Sequence, residues 1–286
     1  MSADDVFGGG MRRPLIGTSS KMNLTSSQAC VYFDTLRPLL ADLDDRELFV
    51  LPPFTSIWAA RDRLTGSNVS WGGQDVHPDD AGAHTGDVSA PMLSDLGCTW
   101  VEVGHHERRR DYGETDELVA AKVMAAQRWG MRALVCIGEG ERLPFPDVVQ
   151  TLDTQIASLA STDPNGIVIA YEPAWAIGVG SRPASPAWVR RAHATIRERL
   201  GVVFGMGSSG SRTAHAVPII YGGSVGPGGA PDLLAQPDVD GLFVGRQALD
   251  PLVFSKIAHT PVSRPAADAG SDGTAAATPL ASSGTR

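Results

Sequence analysis

Eight times in succession, a short apolar run of strand-forming residues is followed by a longer segment with helical spacing, and no other feature limits the fold so tightly. The first run is Pro14-Leu15-Ile16-Gly17, after which Thr25 and Gln28 make a capping-box pair for a helix reaching about Leu43. Residues 48–51 lead to a helix over about 55–64, and residues 69–73 lead to a long polar loop and a short helix near Met92. Runs at 99–103 and 131–137 precede helices over about 115–129 and 147–160. The sixth run, Ile167-Val168-Ile169-Ala170-Tyr171, precedes a helix that Ser185 caps, with Pro186 at its first position and its end near Leu200. Runs at 217–221 and 241–244 complete the series, with short helices near Asp232 and Pro251. Parallel strands need crossover connections, and eight such units over about 250 residues predict a closed (β/α)₈ barrel, an α/β fold in one domain.

The barrel is expected over residues 11–258, behind a flexible, Gly-rich leader (1–10) and ahead of a disordered tail (259–286) rich in Ala, Ser, Gly and Thr. Residues 201–216, rich in Gly and Ser, read as a flexible surface loop. With 42% apolar residues in 286, the chain can bury a large core. Its formal charge of -8 disfavours general nucleic-acid binding but leaves room for a local basic pocket that takes a phosphorylated metabolite. Cys30, Cys98 and Cys136 are too widely spaced for a metal or redox pair, which favours free thiols in a reducing compartment. The first ten residues carry Asp4 and Asp5 and no apolar segment, so no signal peptide or membrane anchor is expected and the chain reads as cytoplasmic.

In such a barrel the reacting groups gather at the carboxyl ends of the strands. The sixth run delivers Glu172 at its end, against Pro173, and Gly178 and Gly180 follow as the far hinge of a closing loop. An exposed glutamate is usually only solubilising, but one at the end of an apolar strand before a Gly-hinged loop reads as a base. His105, directly after the fourth run in Gly104-His105-His106-Glu107-Arg108, can stay neutral near a helix start and donate a hydrogen bond to a substrate oxygen. A zinc site is the rival reading, and the adjacent histidines lack helical ligand spacing and a cysteine cluster, so neither metal nor cofactor is expected. Lys21, in Ser19-Ser20-Lys21-Met22-Asn23, could place a positive charge over an anion, although a lone lysine is more often merely solvated. Glycine-rich turns after the seventh and eighth runs, Tyr221-Gly222-Gly223-Ser224-Val225 and Val244-Gly245-Arg246, offer bare amides for phosphate, yet glycine turns also occur for structural reasons alone. The polar loop over 77–90 serves binding or subunit contact as often as not.

At these residues the chain resembles the triose-phosphate isomerase family over nearly all of residues 14–252. The matching stretches are Lys21-Met22-Asn23, Gly104-His105 with Glu107-Arg108, Tyr171-Glu172-Pro173 with Trp175-Ala176-Ile177-Gly178, Tyr221-Gly222-Gly223-Ser224-Val225, and Asp240-Gly241 with Val244-Gly245. The resemblance implies Glu172 as base, His105 as neutral electrophile and Lys21 as electrostatic anchor, with Gly178, Ser224 and Gly245 holding a phosphate. It also implies a homodimer in which the loop bearing His84-Thr85-Gly86 reaches the neighbouring subunit near Lys21.

The departures concern the substrate. Ser19-Ser20 stands where the family usually has Asn-Trp, His106 replaces the usual serine, and Arg246 replaces the second glycine after strand eight. Thr18-Ser19 and Gly245-Arg246 look like the branch acting on L-erythrulose 1-phosphate, although Ser20 and His106 are unusual there too. Ser19 is smaller than asparagine and leaves room for one more hydroxymethyl group, while Arg246 can supplement backbone contacts to phosphate. The expectation is therefore a sugar-phosphate isomerase working through an enediolate, on tetrulose phosphate ahead of triose phosphate. A barrel disabled by His106 or Ser20, left as a phosphate-binding or structural barrel, is the competing reading.

Overall fold

Each apolar run forms a strand whose two faces are both removed from water, one inside a closed sheet and one beneath helices. The structure, a computed structural model, describes residues 13–178, 180, 182–205 and 217–262. Among these, β1 (Leu15–Ser19), β2 (Glu47–Leu51), β3 (Val69–Gly73), β4 (Trp100–Val103), β5 (Arg132–Ile137), β6 (Ile167–Tyr171), β7 (Ile219–Tyr221) and β8 (Gly241–Val244) pair in parallel in chain order. Pairing of β8 with β1 closes the barrel that the sequence predicts. The crossovers carry α1 (Ser26–Leu39), α2 (Ile57–Leu64), α3 (Ala90–Asp95), α4 (His106–Tyr112), α5 (Asp116–Arg128), α6 (Phe145–Ala157), α7 (Pro186–Val203), α8 (Ala230–Leu234) and α9 (Pro251–Ala258).

Side chains alternate along every strand, so period two sorts them into two cores. Leu15, Phe49, Trp100, Leu134, Val168, Ile220 and Phe243 fill the barrel interior, where the Phe49 and Trp100 rings stack at 4.3 Å. Their neighbours Ile16, Val50, Val101, Val135 and Ile169 face outward to the helices. Close approach makes one glycine indispensable. A Cβ at Gly241 would fall on the Leu15 backbone carbonyl across the β1–β8 seam, where no side chain can move aside. Gly241→Ala should therefore destabilise the protein by about 3 kcal/mol or more. In urea it should lower the unfolding midpoint at constant slope, and a loss under about 0.5 kcal/mol would mean that the seam yields freely.

The boundaries depart from expectation in four places. Helix α1 stops at Leu39 rather than near Leu43, because the Leu40 N–H turns back to the Arg37 carbonyl at 3.4 Å. Helix α7 continues past Leu200 to Val203, into the segment read as a loop. Helix α4 was expected only as a turn; it buries no residue, so it has no apolar period to read. The chain also stays packed beyond the boundary placed at residue 258: Thr260 is buried, and the Arg46 guanidinium donates to the carbonyls of Ala258 and Thr260. The leader (1–10), residues 206–216 of the Gly/Ser-rich loop, and the tail beyond 262 lie outside the described residues. Among the described residues, no helix is long and apolar enough to cross a membrane.

Candidate active site

Strand β6 places its inward side chains at Val168 and Ala170, and one more step of two brings Glu172 to the mouth of the barrel. The Glu172 N–H continues the ladder by donating to the Ile137 carbonyl at 2.7 Å, so the carboxylate is fixed by sheet rather than by loop. Glu172 is only 3% exposed, and Gly222 leaves the room it needs: a Cβ there would lie 2.8 Å from the Glu172 Cγ. Above it opens a cavity of about 650 Å³.

His105 caps α4, and its Nδ1 accepts the Glu107 N–H at 3.1 Å. The hydrogen of the neutral ring must then sit on Nε2, which faces Glu172 Oε2 at 3.4 Å. With that hydrogen in place, Nε2 has no lone pair to give a metal. Burial, strengthened by the charges of Lys21 and His106 and opposed by Glu172, lowers His105 to about 4, so the imidazole is neutral at physiological pH. His106 points its Nδ1 at the same Glu172 oxygen, also at 3.4 Å, and its ring lies 4.2 Å from that of His105. Sequence spacing gave no hint that both rings meet one carboxylate. Burial alone would raise the Glu172 carboxyl, but His105, the hydrogen bond from His106 and the Lys21 charge outweigh it and hold the group below its usual range.

Lys21 follows β1 with φ +52, a left-handed conformation that costs free energy for a residue with a Cβ. That strain turns its ammonium into the mouth, where Nζ meets Glu107 Oε1 at 2.9 Å. Gln74 holds the turn in place: its amide donates to the carbonyls of Leu51 at 2.8 Å and Lys21 at 3.1 Å. Ser19, the last residue of β1, is buried and lines the same cavity.

Glycine-rich turns complete the lining. Gly178, Ser224, Gly245 and Arg246 all border the cavity, and the Ser224 hydroxyl donates to the Ala176 carbonyl at 2.7 Å. Gly178 has φ +114, in the left-handed region that favours glycine. The segment between Glu172 and Gly178 is anchored through Glu139, which accepts from Trp175 Nε1 at 2.7 Å and the Tyr171 hydroxyl at 3.1 Å. Val179 and Ser181, within the expected lid, lie outside the described residues.

All eight residues singled out in the sequence thus come to one mouth: seven border the cavity, and His105 reaches it through Glu172. Sequence reasoning missed Gln74, the ion-pair role of Glu107, and Glu102, an acid 2% exposed inside the barrel. Gln74 carries no local signal. Glu102 does, as the one acid within the apolar run Trp100-Val101-Glu102-Val103.

A closed parallel barrel brings a buried carboxylate, a neutral imidazole and a lysine together beside a cavity lined by glycine-rich turns, an arrangement suited to isomerising a sugar phosphate. A sequence profile described as "Triosephosphate isomerase" matches residues 14–260. The chain is 42% identical over 254 residues to a triosephosphate isomerase of Roseiflexus sp. (strain RS-1), covering 87% of this chain and 98% of the relative. A triosephosphate isomerase of Moorella thermoacetica is 41% identical over 256 residues, with 87% and 99% covered. The crystal structure of triosephosphate isomerase from Bartonella henselae superposes with a TM-score of 0.76 at 34% identity, covering 86% of this chain and 97% of the other. The chain belongs to the triosephosphate isomerase family and is an intramolecular oxidoreductase of sugar phosphates.

Proposed function

We propose that this enzyme interconverts glyceraldehyde 3-phosphate and dihydroxyacetone phosphate. The observation that carries the reading is the Glu172 carboxylate facing the His105 Nε2–H at 3.4 Å beside a cavity that the glycine-rich turns at Gly222, Gly223 and Gly245 also line. In this reading Glu172 removes the proton next to the substrate carbonyl, and His105 steadies the enediolate oxygen as a neutral donor. Lys21 supplies positive charge over the anion, and Gly178, Ser224 and Gly245 receive the phosphate, with Arg246 adding a cation at its edge.

The sequence departures point to a tetrulose phosphate, whereas the relatives at 41% and 42% identity carry the name triosephosphate isomerase and support the triose. A second reading, L-erythrulose 1-phosphate, keeps one specific support: Ser19 and Arg246 both border the cavity, the first as a smaller side chain than asparagine. One fewer carbon is a weak discriminator, on the order of 10–200-fold. The specificity constant for glyceraldehyde 3-phosphate should exceed that for the tetrulose phosphate by at least about tenfold. The reverse order would assign the site to the four-carbon sugar, and no turnover of either would leave a phosphate-binding barrel.

The proposed assembly is a homodimer through the loop around Thr85, in the cytoplasm, where Cys30, Cys98 and Cys136 are free thiols. The loop is braced from within, with the His77 N–H donating to the Val88 carbonyl at 2.8 Å and the His77 and His84 rings stacked at 3.9 Å. Thr85 itself is exposed, and Met22, next to Lys21, is 97% exposed, an apolar side chain with no cover from its own chain. Thr85→Arg should shift the sedimentation coefficient to that of a monomer and lower kcat together with it; an unshifted boundary would remove the loop from the interface.

A further inference from the structure

Beneath the proposed site lies a second acid that the reaction as described does not use. Glu102 shares the inward face of β4 with Trp100, while Val101 and Val103 turn outward. Its register partner on β5 is Leu134, and the next inward residue up that strand is Cys136. Cys136 is opposite Ala170 on β6, and the next inward residue up is Glu172. Glu102, Cys136 and Glu172 therefore climb the inside of the barrel on one diagonal, one strand across and two residues up at each step, as barrel stagger requires. The diagonal brings a carboxylate oxygen of Glu102, the Cys136 sulfur and a carboxylate oxygen of Glu172 within 4.8 Å of one another. The thiol donates to Glu102 Oε1 at 3.8 Å.

We propose that Glu102 is a positioning residue for Glu172: a proton-bearing carboxylic acid one layer down that leaves the negative charge on Glu172 and, through the Cys136 thiol and the Ser19 hydroxyl, fixes the floor of the sugar pocket. The inference rests on the isomerase reading, since it takes Glu172 to be the base.

Two carboxylates this close in a dry interior do not both ionise. Which of them keeps the proton follows from their surroundings. Glu172 has two imidazoles at 3.4 Å and the field of Lys21. Glu102 has the Ser19 hydroxyl and the Cys136 thiol, with Lys21 favouring its charge and Glu172 and Glu107 opposing it. Burial, then Glu172, pushes Glu102 up to about 8, so at neutral pH it is an uncharged acid. Burial keeps the Cys136 thiol protonated as well. The groups around Glu102 are thus two anions, Glu172 and Glu107, one cation, Lys21, and the neutral donors Ser19 and Cys136.

Above about pH 8 the second charge would appear beside the base and beneath the anionic enediolate, which it would repel. The full-length enzyme is assayed for kcat/KM on glyceraldehyde 3-phosphate from about pH 6 to pH 10, beside Glu102→Gln, which fixes the side chain in its uncharged shape, and Glu102→Asp, which keeps the acid. The wild type should lose about tenfold per pH unit above the break. Glu102→Gln should have no such break, and Glu102→Asp should restore one. A break of the same position and depth in Glu102→Gln would overturn the proposal.

A second reading needs no activity. An acid whose folded pKa is raised stabilises the protein below its unfolded pKa, and that advantage is lost as pH rises through the folded one. The melting temperature of the wild type relative to Glu102→Gln should therefore fall between about pH 4.5 and about pH 8 and then level off. A flat difference would mean that Glu102 holds no proton and would equally overturn the proposal. Glu102→Leu, matching the apolar layers below, replaces the amide should that variant fail to fold. A wild type inactive on both sugars would fail the isomerase reading, while the melting comparison would still decide the proton.

Discussion

Glu172→Gln lowers kcat by about 10²–10⁴-fold, with KM changed little, because the amide keeps the shape of the side chain and loses its ability to take a proton. The structure makes this change unusually clean. The main chain at Glu172 is held by the sheet through its 2.7 Å bond to Ile137, so it should not move when the side chain is exchanged. Gly222 leaves space for a side chain of this size, and glutamine needs no more. The same variant should stop exchange of the substrate's abstracted proton with deuterated solvent, which separates a lost base from slow product release. A kcat within about tenfold of wild type, in a variant that melts normally, would mean that another group removes the proton.

His105→Gln should cost about 10²–10³ in kcat, the range for removing one donor from a developing oxyanion. The fixed tautomer is what gives this prediction its force. Because the Glu107 N–H occupies Nδ1, the donor hydrogen is held on Nε2 before substrate arrives. A glutamine can present an amide N–H near that place, but it cannot also accept the Glu107 N–H, so about 1 kcal/mol of stability should be lost with it. Because burial lowers His105 to about 4, the wild-type rate should not lose its electrophile on the acid side until about that pH. An acid limb near pH 6.5 that disappears in His105→Gln would show instead that burial does not lower the imidazole and that it becomes charged already below about that pH.

The two variants test groups that were legible in the sequence for different reasons. Glu172 was visible from the residues themselves, as a charge at the end of a run buried on both faces, next to Pro173 and ahead of two glycines. Lys21 and His105 were legible only as candidates, placed after strands with a charge and a donor to offer but each with an ordinary explanation beside it; the resemblance is what implied their roles. What makes them a site is three-dimensional: Lys21 sits in a left-handed turn braced by Gln74 from β3's end, and His105 is turned by a backbone N–H within its own helix start. Helix α4, which supplies Glu107 to Lys21, escaped notice because it buries nothing and so leaves no period in the sequence.

The sequence by itself determined the number and order of the strands, the crossovers between them and the face on which each inward residue lies, because local hydrogen bonding and side-chain alternation act over a few residues. Closure decided the rest. Only when β8 meets β1 does one face of every strand become the inside of a barrel, and only the stagger of that closure sets Glu102, Cys136 and Glu172 on one ascending line. Register between strands distant in the chain is fixed by how the whole interior packs, so the company each buried acid keeps, and hence which of them carries charge, is a property of the tertiary structure alone.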